Sequence, residues 1–335
     1  MSTWASVSNL SVTLRSGGQD CHIYANGQNR IAVAITVEPT DEDGNPVQVD
    51  LQHLAENLWL IDYDDESKLD WNGYSGWAYT DAANEFTATP DGVGERAEST
   101  IEDDGAQCVT FYVYGWPGVS RKSIGVRVKT DSGATVSSSR GGAYQSRVTF
   151  SPRSAVTYTW GDITWDCSRA STREGGNTGR VTTDAWNYYL SLKAEDNYFV
   201  AFRVQDYASE PGYDGLFACR ITPEDGRRNF YGGYVWYREP HDRGTGRIVN
   251  FPDGNDWCDD VAMYDRADPE RYLCFTWVHA TIGGDGWHIP NGPVNDWKWY
   301  YSPKIVAWDR YGNAGTFWVY GDDIVDSLKG YDHPQ

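Results

Sequence analysis

Trp186-Asn-Tyr-Tyr-Leu-Ser-Leu-Lys193, then Ala194-Glu-Asp-Asn197, then Tyr198-Phe-Val-Ala-Phe-Arg-Val-Gln205 is the stretch on which the fold class turns. Neighbouring residues of a strand face opposite ways, and both runs alternate. Trp186, Tyr188, Leu190 and Leu192 share a face with Tyr198, Val200, Phe202 and Val204; Asn187, Ser191, Lys193, Arg203 and Gln205 take the other. The pattern predicts a half-buried antiparallel hairpin turning at 194–197.

The same period recurs outward in both directions. Towards the C-terminus, strands are expected at Gly215–Ile221, Asn229–Tyr237, Tyr272–Ala280, Trp297–Tyr301, Lys304–Asp309 and Gly315–Tyr320. Towards the N-terminus they are expected at Ser8–Arg15, Ile31–Val37, Pro46–Val49, Leu58–Tyr63, Cys108–Tyr114, Ser123–Thr130, Gln145–Phe150 and Val156–Trp165. Helix signals are few: one turn at Asp268-Pro269, and a short C-terminal helix over Asp323–Lys329 closed by Gly330. The chain is therefore read as all-β, built of two antiparallel β-sandwich-like domains. The boundary falls at Ser151-Pro-Arg-Ser154. Residues 1–153 form the first domain, with a long acidic, Gly/Ser/Asn-rich insertion at 64–106, and residues 154–335 form an aromatic-rich second domain. Each half is long enough to bury a sizeable core.

Within the first domain, Tyr24-Ala-Asn-Gly-Gln-Asn-Arg-Ile-Ala-Val-Ala-Ile-Thr-Val37 is followed by Asp41-Glu-Asp-Gly-Asn-Pro-Val47. This combination of an Ala-Asn-Gly opening, an alternating strand and an Asp-x-x-Gly-Asn-Pro-Val turn resembles the bacterial immunoglobulin-like (Ig-like) domains of invasin and intimin. The resemblance covers residues 20–50, and it implies a seven-strand-like sandwich with a structural or adhesive role. Ile305–Val319, with its Arg310-Tyr-Gly-Asn-Ala314 turn, likewise looks like the closing hairpin of an Ig-like or fibronectin-like sandwich.

The net charge is −20, with 11 basic against 21 acidic residues in 1–153 and 17 against 27 in the remainder. No basic stripe offsets this, so nucleic acid and anionic membranes are repelled at long range. No stretch approaches the roughly 18 apolar residues of a membrane span. The opening residues lack the basic and apolar regions of a signal peptide. The chain is thus expected to be made in the cytoplasm and to act outside the cell after non-classical release. The six cysteines form no CxxC pair. Two lie in the first part and four in the second; an even count in each permits disulfides, whereas a leaderless chain favours buried free thiols.

Eleven of the 16 tryptophans follow residue 153. The runs Tyr231–Tyr237 and Trp297–Tyr301 put rings on both faces of strands, so one face serves the core and the other is free to stack against sugar rings. Candidate ligand-binding residues are Trp236, Tyr237, Trp297, Trp299 and Tyr301. Packing all of these rings inside is the competing reading. Ca²⁺, which takes six to eight oxygens, would find carboxylates at Asp253, Asp256, Asp259 and Asp260, or at Asp41–Asp43 and at Asp62, Asp64 and Asp65. These runs equally suit solvated turns. No other cofactor is expected. Hydrolase, zinc-protease and P-loop motifs are missing, and the polar cluster around Glu239 is the single candidate for catalysis, as an acid or base.

Three function classes follow. The favoured one is a non-enzymatic binding protein that recognises a glycan or cell-surface receptor, as adhesins, toxins and phage receptor binders do. The others are a glycan-acting hydrolase, and a structural subunit of an extracellular or phage-like assembly, for which oligomers would be expected.

Overall fold

The computed structural model describes residues 4–90, 100–101, 106–169, 171–173, 181–207, 216–224, 227–236, 245–247, 260–262, 272–283, 298–300, 302–322 and 327–334. Chain contacts divide it into two units, Met1–Val156 with Arg310–Asn313, and Thr157–Asp309 with Ala314–Gln335.

The alternating runs of the first unit become strands. They are β1 (Ser6–Leu14), β2 (Asp20–Ala25) and β3 (Ile31–Thr40), then helix α1 (Leu51–Glu56), then β4 (Leu58–Asp62), β5 (Asp70–Trp71), β6 (Trp77–Thr80), β7 (Thr100–Ile101), β8 (Gln107–Gly115), β9 (Lys122–Lys129), β10 (Thr135–Ser137) and β11 (Val148–Ser154). One sheet runs β1-β3-β8-β6-β5, with β7 also beside β8; the other runs β10-β9-β11-β2, with β4 beside β9. Leu10, Val12 and Leu14 of β1, Ile31, Val33, Ile35 and Val37 of β3, and Ile124, Val126 and Val128 of β9 meet in one core. A period-2 pattern demands this, because it presents one apolar face per strand.

One expectation needs correction here. Pro46–Val49 is not a strand. Pro46 makes only an isolated bridge to Thr40, and the backbone of Val49 is paired by a side chain instead. Gln107 Oε1 accepts the Val49 N–H at 2.9 Å, and Gln107 Nε2 donates to the Val49 carbonyl at 2.5 Å. Asp50 then accepts the His53 N–H at 3.0 Å and starts α1, so a helix cap wins the residues that follow. Within the 64–106 stretch, β5, β6 and β7 belong to the first sheet. Finally, the buried Asn29 explains the Asn-Gly-Gln-Asn opening. It accepts the Tyr24 N–H and donates to the carbonyls of Phe86 and Ala88, pinning the end of that stretch to the strand before it.

The second unit contains β12 (Thr157–Tyr158), a 3₁₀ turn (Trp160–Asp162), β13 (Ile163–Arg169), β14 (Ser171–Arg173), β15 (Val181–Leu192), β16 (Phe199–Gln205), β17 (Leu216–Glu224), β18 (Arg227–Trp236), β19 (Thr245–Arg247), β20 (Asp260–Ala262), β21 (Leu273–Gly283), β22 (Lys298–Tyr300), β23 (Lys304–Asp309), β24 (Ala314–Asp322) and β25 (Ser327–Tyr331). A sheet β13-β15-β21-β18-β17-β22 and a sheet β12-β24-β23-β16, with β25 beside β24, enclose a second apolar core; β14-β20-β19 is a small third sheet. Both units are antiparallel-rich, all-β assemblies.

The Trp186–Gln205 hairpin is also corrected. β15 is paired along both edges, to β13 (Ile163↔Leu192) and to β21 (Leu190↔Leu273), which leaves β16 to pair with β23 (Phe202↔Ala307). Residues 194–197 therefore carry the chain from one sheet to the other, and the two apolar faces meet across the core. A register shift between Phe199 and Ala201 sends Phe199 inward in place of Tyr198. Asn197 anchors the crossing by donating to Asp309 Oδ2 at 2.9 Å, an oxygen that also accepts the Tyr158 hydroxyl at 2.7 Å. The expected C-terminal helix is a strand over its described part. β25 pairs with β24 (Tyr320↔Lys329), Leu328 is buried, and Gly330 lies beneath the Trp160 ring. The turn expected at Asp268-Pro269 lies outside the described residues.

Candidate functional site

Exposed large hydrophobic side chains are few among the described residues. They are Trp71 at 44%, Tyr74 at 87% and Val156 at 38%. Trp71 ends β5 and Tyr74 lies in the middle of the five-residue link between β5 and β6, and the local backbone explains why that link holds its shape. Asn72 takes φ +52° and Gly76 φ +64°, and the Asn72 N–H donates to the Tyr79 carbonyl at 2.9 Å. The Gly73 carbonyl accepts from both the Tyr114 hydroxyl (3.1 Å) and Trp116 Nε1 (3.0 Å), while the Trp116 N–H donates to the Gly76 carbonyl at 3.0 Å. Trp116 is itself seated. Its ring lies against Gly27, where any Cβ would come within 2.7 Å of it. Tyr74 is presented at the tip, its ring centroid 6.4 Å from that of Trp116. Trp71 sets its ring edge-on against Tyr79 and Phe111, at 5.1 and 5.7 Å.

Beside the tip opens a shallow cleft of about 520 Å³. Trp77 lines it and fixes its far wall by donating from Nε1 to the Ser120 carbonyl at 3.0 Å. Ser67, Lys68, Asp70, Ser75, Ser120 and Lys122 supply polar groups. Lys68 is placed by backbone bridging to Ile61 and by its ammonium, 5.4 Å from the Trp59 ring centroid. Lys122 is committed to Asp62 at 2.5 Å. Burial works against ionisation of Asp62, but Lys122 and the N–H groups of Asp64 and Asp65 outweigh it and hold the carboxyl below its ordinary range. Tyr114, beneath the loop, is pushed up by burial. Hydroxyls, one carboxylate and a lysine, in a cleft whose lining residue Ser75 adjoins the exposed Tyr74, are the chemistry that grips a hydroxyl-rich ligand; an apolar small molecule would want an apolar wall.

The aromatic residues singled out from sequence lie in the second unit. Trp236 ends β18 half-buried, and its Nε1 donates to Thr276 Oγ1 at 3.0 Å; Thr276 donates in turn to Asn187 Oδ1 at 2.7 Å, and both partners are fully buried. Trp299 lies in β22 opposite Cys219, which is opposite Gly232 of β18. Its backbone is thus two strands across and four residues along from Trp236, roughly 10 Å by 13 Å. Tyr237, Glu239, Asp253, Asp256, Asp259, Trp297 and Tyr301 lie outside the described residues; Asp260 is in β20, opposite Arg173 and Arg247. Asp41 turns inward on its own loop, accepting the N–H groups of Asp43 and Asn45 at 3.0 and 2.8 Å. Among the described residues no group of three or more potential ligands is placed to hold a metal ion. Cys21, Cys108 and Cys274 are buried free thiols, and Cys167 is an exposed one.

Sequence reasoning missed the cleft. The available signal was the spacing Trp71, Tyr74, Trp77 inside a stretch taken for an insertion, together with Trp116-Pro-Gly118 after a strand.

No family model matches the chain, and no curated protein does. Three of the solved structures similar to it are as follows. One is a membrane anchored protein from Corynebacterium diphtheriae, with 7% identity over 93% of this chain and TM-score 0.17. The second, named BspA_C_WT, has 9% identity, covers 92% of this chain and 97% of its own, and gives TM-score 0.20. The third is the collagen binding domain of the surface protein RspB of Erysipelothrix rhusiopathiae, with 10% identity over 98% of this chain and 94% of its own, and TM-score 0.16. This chain spans 59% of the length of the first. At these scores the likeness carries no inference about fold or function.

Proposed function

We propose that this chain is a non-catalytic recognition protein that binds a glycan of a cell or extracellular surface at the cleft of its first unit and the exposed Tyr74 that adjoins Ser75 of its lining. The observation that carries the reading is Tyr74, 87% exposed at the tip of a loop whose carbonyls are held by Tyr114 and Trp116. A large exposed ring has a standing cost in water, and one already held in place loses little conformational freedom when a ligand stacks on it. The serines and Asp70 beside it suit sugar hydroxyls.

The test is a glycan array probed with the full chain, with and without Ca²⁺, beside Tyr74→Ala and Trp71→Ala. Tyr74→Ala should weaken binding by roughly two- to twelvefold, since stacking on an aromatic contributes roughly 0.5–1.5 kcal/mol. Binding that survives Tyr74→Ala unchanged would move the site elsewhere, with the Trp236 and Trp299 strands next in line. An array without any hit would end the glycan reading and turn the search to protein receptors.

A further inference from the structure

We infer that the ligand of this cleft is a short glycan ending in a sugar acid, whose carboxylate pairs with Lys68. The inference rests on the recognition reading above and deepens it. Two lysines, Lys68 and Lys122, are among the residues lining the cleft, in a chain of net charge −20. They are not equivalent. Lys122 already holds Asp62 at 2.5 Å. Lys68 has no carboxylate partner among the described residues; its described contact is the face of Trp59, 5.4 Å from the ring centroid. A cation–π contact places an ammonium without using up its N–H donors. Lys68 thus remains a positioned cation, fixed through its backbone by the bridge to Ile61 and through its head by Trp59.

The other groups narrow the class. Asp70 and the hydroxyls of Ser67, Ser75 and Ser120 ask for a neighbour rich in hydroxyls, and Tyr74 asks for a ring. One molecule that brings a carboxylate, hydroxyls and a saturated ring is a sialic or uronic acid at the end of a chain. The size of the cation supply sets an upper limit. One available ammonium beside Asp70, on a molecule with 48 acidic residues, fits a single negative charge; a polyanion would meet the repulsion of the whole surface. The pairing is exposed, so it is screened by salt.

The experiment is calorimetric titration of the full chain with two matched pairs, sialyllactose against lactose, and a glucuronosyl-terminated against a glucosyl-terminated disaccharide, at low and at physiological salt. The acidic member of at least one pair should bind tenfold or more tighter than its neutral partner, and added salt should narrow the gap. Lys68→Gln should bring the acidic member down to the affinity of its neutral partner, Lys68→Arg should keep most of the preference, and Tyr74→Ala should weaken both members together. Equal binding of acidic and neutral members, or a preference that survives Lys68→Gln, overturns the inference and leaves the glycan reading standing. Binding of neither pair, with an array that shows only neutral hits, does the same. No binding in either assay removes both.

Discussion

Gly27→Ala puts a methyl carbon 2.7–2.8 Å from three atoms of the Trp116 ring, at a residue whose φ is +73°. Two separate costs follow. A side chain in the left-handed region costs about 1 kcal/mol. The overlap must then be relieved by moving the indole, which strains the packing and stretches the bond from Trp116 Nε1 to the Gly73 carbonyl, together about 2 kcal/mol. Gly44 supplies the control. Its φ is +80° and nothing lies within 4 Å of an added Cβ, so Gly44→Ala carries the first cost alone. Urea unfolding of the two variants should differ by about 2 kcal/mol, and thermal midpoints by roughly 4–8 °C for a unit of this size. Because Trp116 also supports the Tyr74 loop, Gly27→Ala should weaken glycan binding and Gly44→Ala should not. Equal stabilities for the two variants, with binding intact in both, would refute the view that Trp116 seated on Gly27 organises the cleft.

Gly330→Ala in the second unit has the same logic without a φ cost. Its Cβ would fall 1.9 Å from the Trp160 ring, so about 3 kcal/mol of destabilisation is expected from overpacking, read by denaturant titration; a change under about 0.5 kcal/mol would show that β25 is easily displaced. His53 Nε2 lies 2.8 Å from Asp131 Oδ1, and that hydrogen bond raises the imidazole above its ordinary value near 6.5. A raised folded value stabilises the protonated form. Its contribution is therefore complete below about pH 6.5 and is lost as pH rises through the folded value. His53→Ala should shrink the difference in urea midpoint between about pH 5.5 and pH 8.5, and an NMR titration that places His53 at or below its ordinary value would contradict the pairing. Cys167 is the exposed thiol, with burial raising it against an opposing hydrogen bond from Tyr188. Iodoacetamide should label it in the native protein, faster as pH rises, while Cys21, Cys108 and Cys274 should react only after unfolding; labelling of Cys274 in the native state would contradict its burial.

Local physics was legible where one face of a strand met one core. Leu10, Val12 and Leu14, or Ile31 to Val37, alternate in sequence and are buried in alternation with less buried or smaller neighbours. Pairing partners were not legible, because alternation names the buried face of a strand and says nothing about its neighbour. β15 and β16 alternate equally well as a hairpin or as two walls of a core. Val49 shows the complementary failure. Its backbone is satisfied by a glutamine 58 residues away, a contact without local signature. Ser327–Lys329 shows intrinsic preference yielding to tertiary packing, since these residues pair with β24 and Gly330 lies against the Trp160 ring. The cleft was hidden for a related reason. The signal of Trp71, Tyr74 and Trp77 was present, but its meaning depends on Gly27 and Trp116, which are distant in sequence and close in space.

The last strand of the first unit, β11, lies parallel to β2 along its full described pairing, from Thr149↔Asp20 to Ser154↔Ala25. A strand leaving a domain can be torn from its neighbour rung by rung or dragged along it. Parallel alignment that continues to the final residue before the exit leaves only the second route for tension applied along the strand: every rung is loaded together, and the ladder resists in shear. β11 is also laddered to β9 over Val148–Phe150, so tension along the exiting strand is shared between that short antiparallel ladder and the longer parallel one.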